Sequence, residues 1–247
     1  MTPAEGQSAA GSLESRLLKN LDELNQKIRK ALAAAGSPDR LVTLIAVSKK
    51  QPLEKIDALA RAGHLNFGEN YVQEALPKME KLAHQDLKWH FIGGLQSNKA
   101  KYVSGRFSLI HSVDSEKLAQ GLHNKAKSLD IIQPVLIQVN LAGESQKSGT
   151  SPGQLPDLAE KILAMNHLRL EGLMTMPPFF DDPERSRPYF AALRSERDLL
   201  KKRLGVKLPH LSMGMSGDFE AAIKEGATLI RLGTALFGPR PECKVQG

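Results

Sequence analysis

Cysteine, long apolar runs and aromatic residues are all scarce in this chain of 247 residues, and these gaps exclude several classes of protein. The single cysteine, Cys243, rules out a disulfide framework within the chain and favours a reducing compartment. No stretch approaches the roughly 20 apolar residues of a membrane span. The N-terminal segment MTPAEGQSAAGSLES has neither a positively charged start nor an apolar run, unlike a secretory signal. We therefore expect a soluble cytoplasmic protein that does not engage a membrane.

Patterns for binding metals and nucleic acids are also missing. The seven histidines show no metal-ligand spacing and the HExxH motif is absent, so we expect no metal site. The densest basic stretch, residues 194–207, contains no aromatic residue, which is typical of a solvated helix face rather than of a nucleic-acid surface. The net charge of +7 suits an anionic small ligand.

Short apolar runs alternate with helical periodicity along the chain. Leucine and isoleucine at steps of three and four over 13–32 predict an N-terminal helix. Strands are predicted at 42–48, 65–67, 87–92, 108–111, 134–139, 168–174, 208–213 and 228–232. Helices are predicted near 70–83, 97–103, 115–129, 155–166, 184–204 and 217–225, with one more opened by Pro52.

Eight strands with helices between them predict a closed (β/α)8 TIM barrel with an extra N-terminal helix. The alternative is an open doubly wound sheet, which normally carries a glycine fingerprint after its first strand. Here the first strand runs into Ser48, Lys49 and Lys50 instead. We find no linker, so we expect a single domain over 1–247, with an ordered core from about residue 12 to 240 and mobile ends.

The end of the first strand supplies two candidate lysines. Ligands of such barrels bind at the C-terminal ends of the strands. A lysine at the inner edge is costly unless it has a partner or a covalent use, and burial makes it a nucleophile toward aldehydes. Strand alternation puts Lys49 and Lys50 on opposite faces without saying which face is inward. Position alone also leaves open that both lysines are exposed at the start of a loop.

The ends of the last two strands predict an anion site. Ser216 stands beside Gly217, and Thr234 stands beside Gly233, each pair at the start of a predicted helix. Exposed N–H groups and the helix dipole favour an anion there, and barrels often hold phosphate at this place. The alternative is that the two hydroxyls only cap their helices.

Three further polar residues stand in or directly after predicted strands. Arg231 lies two residues before Gly233, on the same side of the last strand, and would need an acceptor inside the barrel, which a glutamate such as Glu171 could supply. Asn70, after the second strand, can donate and accept hydrogen bonds, although Glu69 or Asn70 could instead cap the next helix. His90, flanked by aromatic residues, is interpreted as a core histidine.

These residues form a set that closely resembles the pyridoxal-phosphate homeostasis protein family, single-domain relatives of the alanine racemase N-terminal barrel (PLP fold type III). The likeness spans about residues 15 to 240. The matching segments are AVSK at 46–49, FGENYVQE at 67–74, WHFIGGLQSNK at 89–99, QVN at 138–140, ESQKSG at 144–149, GLMTM at 172–176, LSMGMSGDFEAAI at 211–223 and IRLGTALFG at 230–238.

The resemblance implies a binding site for pyridoxal 5'-phosphate (PLP), the vitamin B6 cofactor. It places the Schiff-base lysine on Lys49 and the arginine near the pyridine nitrogen on Arg231. The other cofactor-binding positions that it implies are Asn70, Ser216, Gly233 and Thr234. Gly94 departs from the family pattern, where proline or histidine is common, which puts the local loop shape in doubt.

The resemblance implies a carrier rather than an enzyme. An arginine at the ring nitrogen opposes its protonation and weakens the cofactor as an electron sink. Racemases of this type also use a tyrosine from a second, all-β domain, and only ten residues follow Phe237 here. We therefore expect a monomer that holds PLP reversibly, limits free aldehyde and delivers the cofactor to apo-enzymes.

Two other functions stay open at this stage. One is a PLP-dependent racemase or related enzyme of low activity, and the other is a phosphate-binding barrel enzyme that does not use pyridoxal. Lys147, in the loop after the fifth strand, is either a second transient amine at the barrel mouth or an exposed loop lysine.

Overall fold

Eight parallel strands close into a barrel in the order of the sequence, from β1 to β8. The computed structural model describes residues 3–144 and 146–239, with side chains from residue 13 onward. The strands are β1 Thr43–Val47, β2 Asn66–Glu69, β3 Lys88–Phe91, β4 Leu109–Val113, β5 Gln133–Gln138, β6 Leu168–Met174, β7 His210–Ser212 and β8 Leu229–Leu232. The barrel prediction is confirmed, and the open sheet is wrong because β1 pairs with β8, with Ala46 opposite Leu232.

Helices follow the strands on the outside of the barrel. They are α1 Pro3–Ala34, α2 Leu53–Arg61, α3 Val72–Lys81, α4 Ala100–Val103, α5 Glu116–Ser128, α6 Leu155–Leu163, α7 Arg187–Leu204, α8 Phe219–Lys224 and α9 Thr234–Phe237. The predicted helices at 97–103 and 184–204 open as 3-10 turns, at Ser97–Lys99 and Pro183–Ser186. Within the described residues, no helix is both long and apolar enough to cross a membrane.

The extra helix α1 packs across α2, α8 and α9, beside the seam where β1 meets β8. Its apolar stripe is buried at Leu17, Leu24 and Ile28, and Asn20 Nδ2 donates to the carbonyl of Leu236 at 2.9 Å. The helix therefore supports the short α9 at the barrel mouth. The predicted mobile end at 241–247, together with Cys243, lies outside the described residues.

Strand alternation divides the interior into two layers. Even-numbered positions of β8, such as Ile230, face the helices, while Leu229 and Arg231 point into the barrel. The apolar part of the barrel interior is small and consists of Ile45, Leu109, Leu136, Met174 and Leu229. Polar side chains occupy much of the remaining interior, which sets up the site at its mouth.

Candidate ligand site at the barrel mouth

A cavity of about 300 Å³ opens at the C-terminal ends of β1, β2, β7 and β8, at the lower end of the range of about 300–1,000 Å³ for small-molecule sites. The loop after β6 closes one side with Pro178, Phe179 and Phe180. All six residues predicted for the site lie on its wall, namely Lys49, Asn70, Ser216, Arg231, Gly233 and Thr234. The fold thus brings together residues from the C-terminal ends of four separate strands.

A wider groove of about 1050 Å³ lies outside the barrel, between the 3-10 turn at Ser97–Lys99 and the start of α5. It is open to solvent, and acidic Asp114 and Glu116 stand on its wall beside Lys117. The smaller mouth cavity is the better candidate for an anionic ligand, because a buried arginine and a lysine line it.

The two lysines after β1 occupy different environments. Lys49 is half-buried on the wall of the cavity. Lys50 is exposed, its φ is 59°, and its backbone N–H donates to the carboxylate of Glu74. A left-handed residue turns the chain sharply at this point. The turn therefore directs Lys49 toward the cavity and Lys50 away from it.

A buried ion pair holds this turn, and we call it the Lys78 clamp. Lys78 Nζ donates to the carbonyl of Ser48 at 2.8 Å and lies 2.7 Å from both Glu69 Oε1 and Glu74 Oε1. Ser48 Oγ also donates to Glu69 Oε1, at 2.7 Å. Burial raises the pKa of Glu69, and the Lys78 ammonium opposes that rise. The clamp fixes the backbone directly before Lys49.

Asn70 follows β2 and carries a buried oxygen, Oδ1, that has no hydrogen-bond partner among the described residues. A Cβ atom at Gly93 would lie 2.3 Å from the Asn70 carbonyl oxygen, so only glycine allows this close approach. Capping of the next helix by Glu69 or Asn70 is wrong, because Tyr71 is the N-cap of α3 and makes no side-chain cap bond. The carboxamide is therefore left for a ligand.

The loops after β7 and β8 meet at a corner of the cavity that we call the anion corner, formed by Ser216, Gly217, Gly233 and Thr234. Ser216 Oγ accepts from the N–H of Ala235 at 3.3 Å and so joins the two loops. Across residues 3–144 and 146–239, the N–H groups of Gly217 and Thr234 have no acceptor. Such N–H groups and hydroxyls suit an anion.

Helix capping does not account for the two hydroxyls of the anion corner. The N-caps of α8 and α9 are Asp218 and Gly233, and neither makes a side-chain cap bond. Asp218 Oδ1 instead accepts from the N–H of Met215 at 2.7 Å, which shapes the loop. The carboxylate is thus engaged within its own loop.

Arg231 is buried, with 4% of its surface exposed, and lines the cavity. Its Nη1 donates to Ser212 Oγ at 2.6 Å, and its Nη2 donates to the carbonyl of Thr175 at 2.9 Å. The suggested ion pair with Glu171 is wrong, because Arg231 donates to Ser212 and Thr175 instead, and the Glu171 carboxylate lies 2.7 Å from Arg169 Nε. Burial lowers the pKa of Arg231 to about 10, so it stays charged at neutral pH.

His90 is buried and hydrogen-bonded, as expected for a core histidine, but its partner is a second histidine that the sequence reasoning missed. His90 Nδ1 lies 3.0 Å from His111 Nε2, and His111 Nδ1 lies 2.8 Å from Ser212 Oγ. Thr175 was missed as well. The only feature of the sequence that could have indicated these contacts is the presence of polar residues at inward positions of β4 and β7.

Other candidate groups stand apart from the cavity. Tyr71 and Tyr102 are exposed, Tyr189 stacks on Phe180 with ring centres 6.0 Å apart, and none of the three tyrosines lines the cavity. In the part of the chain that the structure describes, no group of three or more His, Cys, Asp or Glu side chains could hold a metal ion.

Lys147 and Gly94 line a neighbouring cavity of about 430 Å³ that shares Met176 and Phe179 with the first. Lys147 Nζ lies 2.8 Å from Glu144 Oε1, so this lysine is ion-paired near the mouth. A Cβ atom at Gly94 would meet only Ser148 Oγ among the described residues, at 3.6 Å, so there is space for a side chain at this position.

The family model of the alanine racemase N-terminal domain matches residues 19–241, which places the chain in that class of barrels. The pyridoxal phosphate homeostasis protein of Aquifex aeolicus is 47% identical over 222 residues, covering 90% of this chain and 97% of that protein. Its counterpart in Pseudomonas aeruginosa is 45% identical over 226 residues, covering 92% and 96%. The chain belongs to the pyridoxal phosphate homeostasis protein family.

Solved structures agree with this placement. PipY of Synechococcus elongatus, determined with PLP bound, superposes with a TM-score of 0.75 at 37% identity, covering 85% of this chain and 100% of that one. An alanine racemase of Clostridium difficile superposes with a TM-score of 0.71 at 17% identity, covering 93% of this chain and 58% of that one. At that identity the racemase shows the shared fold alone.

Proposed function

We propose that this protein binds PLP in the mouth cavity, as a Schiff base on Lys49, and serves intracellular PLP homeostasis. One observation carries the proposal: the six residues singled out from the sequence share one cavity wall. The relative PipY, 37% identical, was determined with PLP bound. On this proposal the chain acts as one PLP-binding domain, a monomer in a reducing compartment such as the cytoplasm.

The residues present fit the chemical groups of PLP. The phosphate suits the anion corner, where two hydroxyls and free N–H groups meet. The ring nitrogen suits the donors of Arg231, and a ring oxygen suits the carboxamide of Asn70. PLP supplies an aldehyde, so Lys49 Nζ forms a carbon–nitrogen double bond and the aldehyde oxygen leaves as water.

The arrangement favours holding the cofactor over turning over a substrate. The charge of buried Arg231 opposes a proton on the ring nitrogen, because two positive charges repel. No tyrosine among the described residues lines the cavity as a second base. The protein would then limit free aldehyde and pass PLP to apo-enzymes, with Lys147 as a candidate transient amine near the mouth.

The proposal is tested by titrating the protein with PLP and following the absorbance of the Schiff base. The wild type and a Lys50→Gly control should develop the band, whereas Lys49→Ala should not. Glycine suits the left-handed backbone at position 50, so the control removes an amine without straining the turn. A full band in Lys49→Ala would contradict the assignment of the lysine.

The carrier role is tested separately by incubating the loaded protein with amino acids in deuterated water. A carrier should leave the α-hydrogens in place over many hours. Exchange or racemisation at rates typical of enzymes, about 1 s⁻¹ or faster, would favour the racemase alternative.

A further inference from the structure

A chain of side-chain hydrogen bonds runs through the barrel interior to Arg231, and we call it the histidine relay. Asn66 Oδ1 lies 3.2 Å from His90 Nε2, and His90 Nδ1 lies 3.0 Å from His111 Nε2. His111 Nδ1 lies 2.8 Å from Ser212 Oγ, which accepts from Arg231 Nη1 at 2.6 Å. The relay links β2, β3, β4, β7 and β8.

The direction of these hydrogen bonds follows from the chemistry at one end. A guanidinium only donates, so Ser212 Oγ accepts from Arg231 and gives its own proton to His111 Nδ1. His111 then carries its proton on Nε2 and donates to His90 Nδ1. The opposite direction would leave the Ser212 hydroxyl proton without an acceptor among the described residues.

The relay carries no charge of its own. Burial lowers the pKa of His90 to about 4, and it lowers the pKa of His111 well below its ordinary value, with help from the neighbouring His90 and Arg231. No carboxylate contacts the guanidinium in the part of the chain described. Neutral acceptors therefore hold the guanidinium directly, while the Asp218 carboxylate, which makes no hydrogen bond to it, favours its charged form.

We propose that His111 is a positioning residue for cofactor binding, which fixes the Ser212 hydroxyl so that the Arg231 cation is aimed at the ligand. Two hydrogen bonds, to Ser212 and Thr175, use two of the five N–H groups of the guanidinium. Because Arg231 lines the cavity, its remaining N–H groups can donate to a ligand there, for example to the lone pair of an unprotonated ring nitrogen. This inference rests on the proposed function and extends it to the barrel interior.

The tautomers provide a test that needs no ligand. In protein labelled with ¹⁵N at histidine, the relay predicts that both His90 and His111 are neutral and protonated on Nε2 at pH 7. Nδ1 protonation, or a charged ring at either position, would contradict the relay.

Variants test the effect on the ligand. His111→Leu introduces an apolar side chain of similar length that cannot accept the hydrogen bond from Ser212. The Kd for PLP should therefore rise about tenfold, equivalent to about 1.4 kcal/mol. The absorbance maximum of the bound Schiff base should also shift. His111→Asn, whose oxygen can accept from Ser212, should restore most of both properties.

The control is His167→Leu, from a second histidine pair outside the barrel, whose rings are 5.6 Å apart. It should leave the Kd and the spectrum unchanged. A folded His111→Leu with wild-type affinity and spectrum would overturn the proposal. If that variant does not fold, Ser212→Ala tests the same contact, with the same tenfold loss expected. If PLP labels Lys49 in the wild type but Ser212→Ala binds PLP with an unchanged Kd, the relay is refuted while the PLP site stands.

Discussion

Ser212 and Ser216 are four positions apart in the sequence but have different roles at this site. Ser212 faces inward to Arg231, whereas Ser216 lies in the anion corner. A hydrogen bond to a charged group contributes about 1.5–3 kcal/mol. We therefore expect Ser216→Ala to raise the Kd for PLP roughly ten- to hundredfold. Pyridoxal, which lacks the phosphate, serves as the matched ligand and should bind both proteins equally. An equal loss for both ligands would mean that Ser216 only joins the two loops.

Lys78 lies outside the cavity, but the clamp that it forms holds the backbone directly before Lys49. Lys78→Met would leave buried Glu69 without its cation, which is expected to lower the free energy of unfolding by about 3–5 kcal/mol. Denaturant unfolding measures the loss. The exposed Lys81→Met on the same helix is the control, and adding Glu69→Gln to Lys78→Met should recover part of the stability. Equal stability of Lys78→Met and Lys81→Met would contradict the clamp.

At the scale of elements, the alternation of apolar runs and helical periodicity predicted all eight strands, and β6 matches its predicted bounds at both ends. For α9 the sequence predicted only a helix start at Gly233 and Thr234, because four residues are too few to show a helical period. It could not predict the histidine relay. The contact of His111 with Ser212 joins β4 to β7 and depends on how the closed barrel brings their inward positions together.

Site residues at the ends of predicted strands could be predicted from the sequence. Contacts that depend on the register between strands could not. Ser216 and Thr234 were recognisable as hydroxyl residues beside Gly217 and Gly233 at the starts of helices. The choice between Lys49 and Lys50 required the family resemblance, because alternation does not tell which face is inward. The turn at Lys50, held by the Lys78 clamp, supplies the structural reason.

The buried histidines predict how stability depends on pH. A histidine whose pKa is lowered by folding binds its proton more tightly in the unfolded chain, so acid favours unfolding below about pH 6.5. The free energy of unfolding should fall from pH 7 to pH 5. His111→Asn, which does not titrate, should show a slope shallower by about 1.4 kcal/mol per pH unit below pH 6.5. Identical slopes would mean that His111 is protonated in the folded state.

At the scale of the whole molecule, the barrel joins distant parts of the chain at one mouth. Lys49 lies near one end of the sequence of strands and Arg231 near the other, and closure of β1 on β8 brings both onto one cavity wall. The net charge of +7 is consistent with an anionic ligand. The helix α1 supports this seam from outside through α9.

The most direct test of the PLP site is borohydride reduction of the PLP-loaded protein, followed by digestion and peptide mapping by mass spectrometry. Reduction converts the carbon–nitrogen double bond into a stable amine and so fixes the cofactor to the lysine that held it. We expect one phosphopyridoxyl group per chain, on Lys49. Labelling of Lys50, Lys147 or another lysine in its place, or no labelling at all, would contradict the account.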